Sequence, residues 1–147
     1  MVKLSDFLAQ KSRKSFAVDT GTQIHKKMQK IVIDDTLEIG DSTLIQQIKL
    51  KNNISQFFQK SALTEVPIAG IIDGKFISRR IDRMLKDDDK KAIVFLDYKT
   101  DINKKLFYEK YTSQMIDYKK LLARIYPDYS IRGIILWLND FTLEEVC

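Results

Sequence analysis

A nearly continuous apolar run, Ala92–Tyr98, is the feature that most limits what this chain can fold into. A strand with apolar residues at successive positions buries both of its faces, so it belongs inside a sheet that is covered on either side. The run is also far shorter than the roughly 20 apolar residues of a membrane-spanning helix. We therefore predict an α/β or α+β domain with a central mixed sheet flanked by helices.

Further strands are predicted on both sides of this run. Leu63–Ile72 and Phe76–Leu85 form a hairpin in this prediction, because Asp73-Gly74 between them is a strong turn signal. Ile131–Leu138 and Phe141–Val146 are predicted as two more strands, joined by a short polar turn. Three predicted strands thus precede the last helical stretch and two follow it.

Three stretches carry apolar residues at the spacing of an amphipathic helix. The first follows the capping residues Asp19–Thr22, and Asn52-Asn53 is expected to divide the second. Residues 1–20 are predicted to be a basic amino-terminal segment. The apolar positions are Ile24, Met28, Ile31 and Val32 in the first stretch, Leu44, Ile45, Ile48, Ile54, Phe57 and Phe58 in the second (Ser42–Lys60), and Tyr111, Met115, Tyr118, Leu122 and Ile125 in the third (Leu106–Tyr126).

Composition excludes several classes of site. The 147 residues include one cysteine, Cys147, so intramolecular disulfides, thiolate zinc sites and cysteine-bound iron–sulfur clusters are excluded. Lys and Arg number 25 against 20 Asp and Glu, a net charge of +5 that suits a phosphate-rich partner without requiring one. The first residues lack the apolar segment of a signal peptide, so we expect a cytoplasmic location and no membrane partner.

An acid and a base emerge side by side where the central strand ends. Asp97 and Lys99 are two residues apart, so they face one side of the strand while Tyr98 faces the other. One interpretation is a strand-end ion pair, which contributes little stability. The other is part of a site that holds a ligand.

Asp82 favours the second interpretation, because the predicted hairpin can bring it beside Asp97. Two adjacent carboxylates repel each other unless a proton or a cation lies between them. Oxygen ligands at such a corner suit Mg²⁺ or Mn²⁺, and Lys99 would be placed to stabilise charge on a phosphate or to position a water. The alternative for Asp82 is an ion pair with Arg80 or Arg83.

Four more positions are candidates. Glu65 begins the first predicted strand, where it can reach the same sheet edge or face solvent. His25 is the only histidine, and a lone histidine is more often neither ligand nor catalyst. Gln114 and Tyr118 share one face of the last helical stretch, although Tyr118 also belongs to its apolar stripe and is then a core residue.

Six motifs follow one another in chain order: Gly21-Thr22-x-x-His25, Glu65-Val66-Pro67-Ile68, Ile81-Asp82-Arg83, Asp97-Tyr98-Lys99-Thr100, Gln114-x-x-x-Tyr118 and the closing strand Ile134–Leu138. In this order, they resemble the RecB-type nuclease domain of the PD-(D/E)XK superfamily, in particular the carboxy-terminal nuclease domain of AddA-type helicase–nucleases. The resemblance implies a restriction-endonuclease-like fold over residues 21–147.

The resemblance also implies a role for each residue. One departure is Arg79, which stands where the family usually has glycine and which either perturbs the groove or contacts phosphate. The implied roles are Mg²⁺ or Mn²⁺ ligands for His25, Asp82, Asp97 and the Tyr98 backbone carbonyl, the catalytic lysine for Lys99, a further catalytic acid for Glu65, and DNA contact or site support for Gln114, Tyr118, Arg79 and Arg83.

The implied activity is that of a metal-dependent exonuclease on single-stranded DNA, in double-strand break repair and recombination. Its implied partners are an AddB-like subunit and an upstream helicase motor, so the chain is expected to be a fragment of a larger protein. No G-x-x-x-x-G-K-[ST] phosphate loop is present, which excludes ATP hydrolysis by that motif. The alternatives are a non-catalytic DNA-binding or structural module, and a stand-alone PD-(D/E)XK nuclease outside the cluster-bearing branch.

Overall fold

The computed structural model describes residues 23–100 and 104–147. The predicted basic segment, residues 1–20, and the capping turn Asp19–Thr22 lie outside the described residues. In chain order the described elements are helix α1 (residues 23–29), strands β1 (Val32–Ile33) and β2 (Glu38–Ile39), helices α2 (Ser42–Lys49) and α3 (Asn52–Ser55), a short 3₁₀ helix (Gln56–Phe58), strands β3 (Leu63–Ile72), β4 (Lys75–Asp87) and β5 (Ala92–Lys99), helix α4 (Lys104–Ile125), and strands β6 (Ser130–Trp137) and β7 (Thr142–Glu145).

Five of the described strands form one mixed sheet in the order β3-β4-β5-β6-β7. Neighbouring strands run antiparallel except β5 and β6, which pair in parallel. Parallel neighbours need a crossover connection, and α4 provides it. The prediction of a mixed sheet with packed helices is therefore confirmed as an α+β architecture. Of the described helices, none has both the length and the apolar character needed to cross a membrane.

Strand β5 lies at the centre of this sheet and buries both of its faces, as its apolar run predicts. Ile93 and Phe95 pack in a core with Leu121 and other residues of α4. Leu96 and Tyr98, at the alternate positions, pack in a second core with residues of α1, α2 and α3. The end of β5 therefore emerges between two helical layers.

Helix α1 ends earlier than its apolar spacing predicts. The spacing predicts a helix that includes Val32, but Val32 and Ile33 pair with Ile39 and Glu38 as the antiparallel strands β1 and β2. β-Branched residues favour strands, and this local preference prevails over the helical pattern. Ile31 is buried just beyond the helix, so its apolar character reflects the core contact that it makes there.

The other helical predictions hold with two corrections. The second stretch divides at Leu50–Lys51 rather than at the predicted Asn52-Asn53, since α3 begins at Asn52. In α4 the predicted apolar stripe includes Ile125, which is 52% exposed, and Leu121 is buried in its place. Leu121 packs where Gly70 of β3 has no side chain, so the sheet rather than the helix decides which residue is buried.

Candidate functional site

The end of β5 presents Asp97 and Lys99 on the α4 side of the sheet and Tyr98 on the other, as predicted. Asp97 is only 6% exposed, and Lys99 Nζ lies 2.9 Å from its Oδ2 atom. Lys99 Nζ also donates a 3.0 Å hydrogen bond to Gln114 Oε1 and lies 4.2 Å from the centre of the Tyr111 ring. These contacts from α4 fix the lysine ammonium beside the Asp97 carboxylate.

Asp82 of β4 meets the end of β5 where the two strands separate. Their paired residues end at Arg83↔Leu96, and beyond this pair Tyr98 N donates a 2.7 Å hydrogen bond to Asp82 Oδ2. The Asp82 side chain thus replaces a strand carbonyl as the acceptor. Burial raises the pKa of Asp82 to about 8, and the adjacent Asp97 carboxylate is the second cause.

Helix α1 brings the only histidine of the sequence to the same point. His25 Nε2 lies 3.2 Å from the carbonyl oxygen of Tyr98 and 3.9 Å from Asp82 Oδ2. The imidazole ring is tilted against the Tyr98 ring, with 5.7 Å between the ring centroids. The structure therefore brings the imidazole beside Asp82 and the Tyr98 carbonyl, and Asp82 in turn lies next to Asp97.

Glu65 lies opposite Asp82 at a distorted point of the β3–β4 pairing. The pairs Thr64↔Arg83 and Val66↔Ile81 flank this position, and Glu65 has a left-handed backbone with φ +51°. That conformation costs about 1–3 kcal/mol for a residue other than glycine. Glu65 is half-buried rather than facing solvent, and its charge contributes to the raised pKa of Asp82.

Because of the same distortion, two residues of β4 that are two positions apart point into different cores. Residues two apart in a regular strand share a face. Ile81, however, packs in the α4 core, whereas Arg83 reaches Met28 in the core on the other side. Asp82 stands at this changeover, between a core residue on one side of the sheet and Arg83 on the other.

Arg83 is buried, and its guanidinium joins three segments behind the site. Nη2 donates to the carbonyls of Met28 and Ile31 at 2.8 and 2.7 Å, and Nη1 donates to that of Phe57 at 3.1 Å. Nε donates to the Tyr98 hydroxyl at 2.7 Å. The last carbonyls of a helix lack intrahelical partners and carry partial negative charge, so a buried cation at the end of α1 is favourable.

This position corrects two expectations for Arg83. A guanidinium that is 1% exposed cannot reach a DNA backbone, so the prediction of a DNA contact is replaced by support of the site. The alternative in which Asp82 pairs with Arg83 is also replaced, because Arg83 binds carbonyls and Tyr98 while Asp82 accepts from the backbone of Tyr98.

Three further predicted residues approach the cluster from α4 and β4. Gln114 binds Lys99, and Tyr118 is buried with its ring edge-on to Phe95, in agreement with the core alternative for this residue. Burial, and then the charge of Asp97, raises the pKa of Tyr118, so its hydroxyl stays protonated. Arg79 is exposed, and its charge acts on Tyr118 from the rim.

Tyr111 is a site residue that the sequence reasoning missed. It packs against the α4 core as its place in the apolar stripe predicts, and its ring also flanks the Lys99 ammonium. The available signal was its spacing, since Tyr111, Gln114 and Tyr118 follow one another at helical intervals on the face that meets Lys99. A cation over an aromatic ring gains about 0.5–2 kcal/mol, so Tyr111 helps to hold the lysine in place.

The donor set fits a divalent cation chemically, although it is not a closed cage. Within residues 23–100 and 104–147, no three His, Cys, Asp or Glu side chains are close enough to form a ready metal cluster. Asp97 Oδ2 is nevertheless buried without an aligned hydrogen-bond donor, despite the nearby Lys99. Repulsion between Asp82 and Asp97 favours a cation, and carboxylate and carbonyl oxygens suit Mg²⁺, which keeps several of its own waters.

Replacing Asp82 with asparagine is expected to stabilise the metal-free fold at neutral to alkaline pH. The pKa of Asp82 is about 8 in the fold against an ordinary 3.8, so ionisation opposes folding as pH rises through this interval. Asparagine can still accept from Tyr98 N and carries no charge. Its advantage in unfolding free energy, measured by urea denaturation in EDTA, should be larger at pH 8 than at pH 5, and a constant difference would contradict this account.

Comparisons with known proteins add no family assignment. No model of a known protein family matches the chain, and no curated protein matches it. The resemblance to RecB-type nucleases therefore depends on the ordered motifs alone.

Proposed function

We propose that this chain is a metal-dependent nuclease domain with a PD-(D/E)XK fold, which hydrolyses phosphodiester bonds of DNA. The observation that carries the proposal is the meeting of His25, Asp82 and the Tyr98 carbonyl beside the Asp97–Lys99 pair. The five-stranded mixed sheet, with α4 as the crossover after the site strand, is compatible with the fold that the motifs imply.

Each residue has a chemical task in this proposal. Asp82, Asp97, His25 and the Tyr98 carbonyl would hold Mg²⁺ or Mn²⁺, which when bound polarises a phosphoryl oxygen and lowers the pKa of water. The Lys99 ammonium, oriented by Gln114, stabilises negative charge that develops on the phosphate.

The residues around this centre would hold it and receive the DNA. Glu65 adds negative charge next to Asp82, and Tyr118 supports the site from α4. Arg79 stands exposed at the rim, where a DNA phosphate can approach it. The substrate therefore meets a cation at the edge of the site before it reaches the buried carboxylates.

The resemblance supplies the substrate and the assembly in this proposal. The DNA is single-stranded, and the chain acts in the cytoplasm beside an AddB-like subunit, with a helicase motor upstream, in double-strand break repair and recombination. The net charge of +5 suits a polyanionic partner. Binding through phosphate contacts should then weaken steeply as salt concentration rises.

The metal site can be tested through the single histidine, whose imidazole gives one set of NMR signals. Mn²⁺ should broaden the His25 signals of the wild-type protein, and Asp82→Asn or Asp97→Asn should raise the Mn²⁺ concentration required by about tenfold or more. Asp128→Asn, an exposed acid in the loop before β6, is the matched control and should behave as wild type. The same protein should degrade labelled single-stranded DNA with Mg²⁺ but not with EDTA.

A non-catalytic DNA-binding or structural module is the second candidate. The existing Asp97–Lys99 ion pair favours it, as does the lack of a ready three-residue metal cluster in the part of the chain that the structure describes. Such a module would bind DNA without Mg²⁺-dependent cleavage, and its His25 signals would stay sharp in Mn²⁺. That combination of results would overturn the nuclease proposal.

A further inference from the structure

The outer part of the β3–β4 hairpin has one face covered by α4 and one face exposed to solvent. On the covered face, Ile68 and Ile72 pack in the α4 core and Gly70 lies against Leu121. On the other face, cross-strand pairs follow one another and all of their side chains are exposed. We call this surface the hairpin face, and it consists of Pro67↔Arg80, Ala69↔Ser78 and Ile71↔Phe76.

The tip of the hairpin face carries an aromatic ring in solvent. Phe76 is 73% exposed, and Ile71 directly opposite it is 60% exposed. Among the described residues, no other aromatic side chain is exposed to this extent. A ring that stands beside an aliphatic neighbour offers a flat platform on which another planar group can stack.

Positive charge lies at the tip of the hairpin and on the hairpin face. Lys120 Nζ lies 3.8 Å from Asp73 Oδ2 in the hairpin turn, and Arg124 donates a hydrogen bond to the Ile71 carbonyl. Both α4 cations are therefore placed at the tip. Arg80 is the cation of the hairpin face itself, whereas Lys75 and Arg79 pair with Ile72 and Ile68 on the covered face, where α4 also packs.

We propose that the hairpin face binds single-stranded nucleic acid, with Phe76 stacking on a base and Arg80 pairing with a phosphate. The inference rests on the proposed nuclease function, because it identifies the surface by which the substrate approaches that site. Stacking platforms combined with cationic grooves are the usual means of binding single strands without sequence preference. An apolar protein partner would instead have to bury Arg80 without a counter-charge on this face, which is costly.

Strand β4 links the hairpin face to the candidate site. Phe76, Ser78, Arg80 and Asp82 occupy every second position of this strand. Six strand residues span about 20 Å, so a bound strand of a few nucleotides reaches from the platform to Asp82, where β4 changes face. Arg79, which pairs with Ile68 and whose charge acts on Tyr118, lies on the α4 side of the hairpin, so Arg80 is the cation along this path.

Fluorescence anisotropy of a labelled oligothymidylate, measured in EDTA at low salt, tests this surface without cleavage. We expect Phe76→Ala to weaken binding about tenfold, the size of one lost base stack. Phe76→Leu keeps apolar area but loses the ring, so it should weaken binding nearly as much. Leu106→Ala, a comparably exposed apolar residue on α4, should bind as wild type. Arg80→Gln should lower the slope of log K against log salt by about 0.7, the share of one phosphate contact.

The outcomes separate this inference from the proposed function. Failure of the wild-type protein to bind, or unchanged binding by Phe76→Ala or by Phe76→Leu, overturns the role of the hairpin face. Binding that depends on Phe76, in a protein that shows no Mg²⁺-dependent cleavage, supports the hairpin face and rejects the nuclease. Mg²⁺-dependent cleavage by a protein whose binding does not change in Phe76→Ala supports the nuclease proposal and rejects the role of the hairpin face. Coincident thermal unfolding of all variants should confirm that none is misfolded, because the three substituted side chains are exposed.

Discussion

Lys99→Ala is expected to lower Mg²⁺-dependent cleavage by about 10²–10³-fold while Mn²⁺ still broadens the His25 signals. The Lys99 ammonium lies beside the candidate ligands without being one of them, and Gln114 and the Tyr111 ring fix its direction. Its removal therefore takes away stabilisation of the charge that develops on the phosphate, and leaves the donors of the metal in place. Single-turnover cleavage of labelled single-stranded DNA at saturating Mg²⁺ measures this effect.

Two further variants serve as controls for the effect of Lys99→Ala on cleavage. Lys105→Ala removes an exposed cation from α4 and should cleave as wild type, because it changes only the general surface charge. Asp97→Ala should abolish both cleavage and the Mn²⁺ broadening while the fold persists, since Asp97 is a candidate ligand. Retained Mg²⁺-dependent cleavage by the purified Lys99→Ala and Asp97→Ala proteins would refute the assignment of both residues.

The sheet could be predicted from local patterns because its strands obey them. The apolar run Ala92–Tyr98 requires cover on both faces, and β5 has it at the centre of the sheet. Asp73-Gly74 forms the predicted hairpin turn, and both residues have the positive φ that this type of turn requires. Alternation along the strand likewise predicts that Asp97 and Lys99 share a face. These features depend on a few neighbouring residues, so the sequence is sufficient.

The supporting residues could not be predicted because they depend on long-range packing. Arg79, Arg80 and Arg83 lie within five positions of one strand, and nothing local distinguishes them. Arg83 alone of these three is buried, because the β3–β4 pairing is distorted at Glu65 and Asp82 and the strand changes face there. A pattern with a period of two assumes a regular strand, so it cannot identify which arginine points into the core.

The position of His25 likewise depends on long-range packing and could not be predicted from local sequence patterns. Its spacing within α1 says only that it lies on a helix, and the residues that place this helix are distant in the chain. Arg83 binds the Met28 and Ile31 carbonyls at the end of α1, and its Nε binds the Tyr98 hydroxyl. The backbone carbonyl of Tyr98 in turn lies beside His25 Nε2. The contacts that Arg83 and Tyr98 make therefore place the imidazole beside Asp82.

Arg83→Met is expected to lower the unfolding free energy by about 3–5 kcal/mol, the largest stability loss that we predict for this chain. Methionine fills similar space but leaves the carbonyls of Ile31 and Phe57 without the Arg83 donors, while the Met28 carbonyl keeps only its bond from Ile31 N. Each buried hydrogen-bonding group left unpaired costs about 1–3 kcal/mol. Urea unfolding can be followed through Trp137, the only tryptophan, which is buried in the α4 core.

Arg80→Met is the matched control for Arg83→Met, because the exposed Arg80 lies on the same strand and its replacement should change stability by less than about 0.5 kcal/mol. Equal stability of the two variants would contradict the role of Arg83. Arg83→Lys separates stability from positioning, since it keeps the charge but cannot supply all of the donors. If these bonds position α1, the nuclear Overhauser contacts between the His25 and Tyr98 rings should weaken in folded Arg83→Lys. If Arg83 contributes stability alone, those contacts should persist, and the imidazole would then depend on another part of the fold for its place beside Asp82.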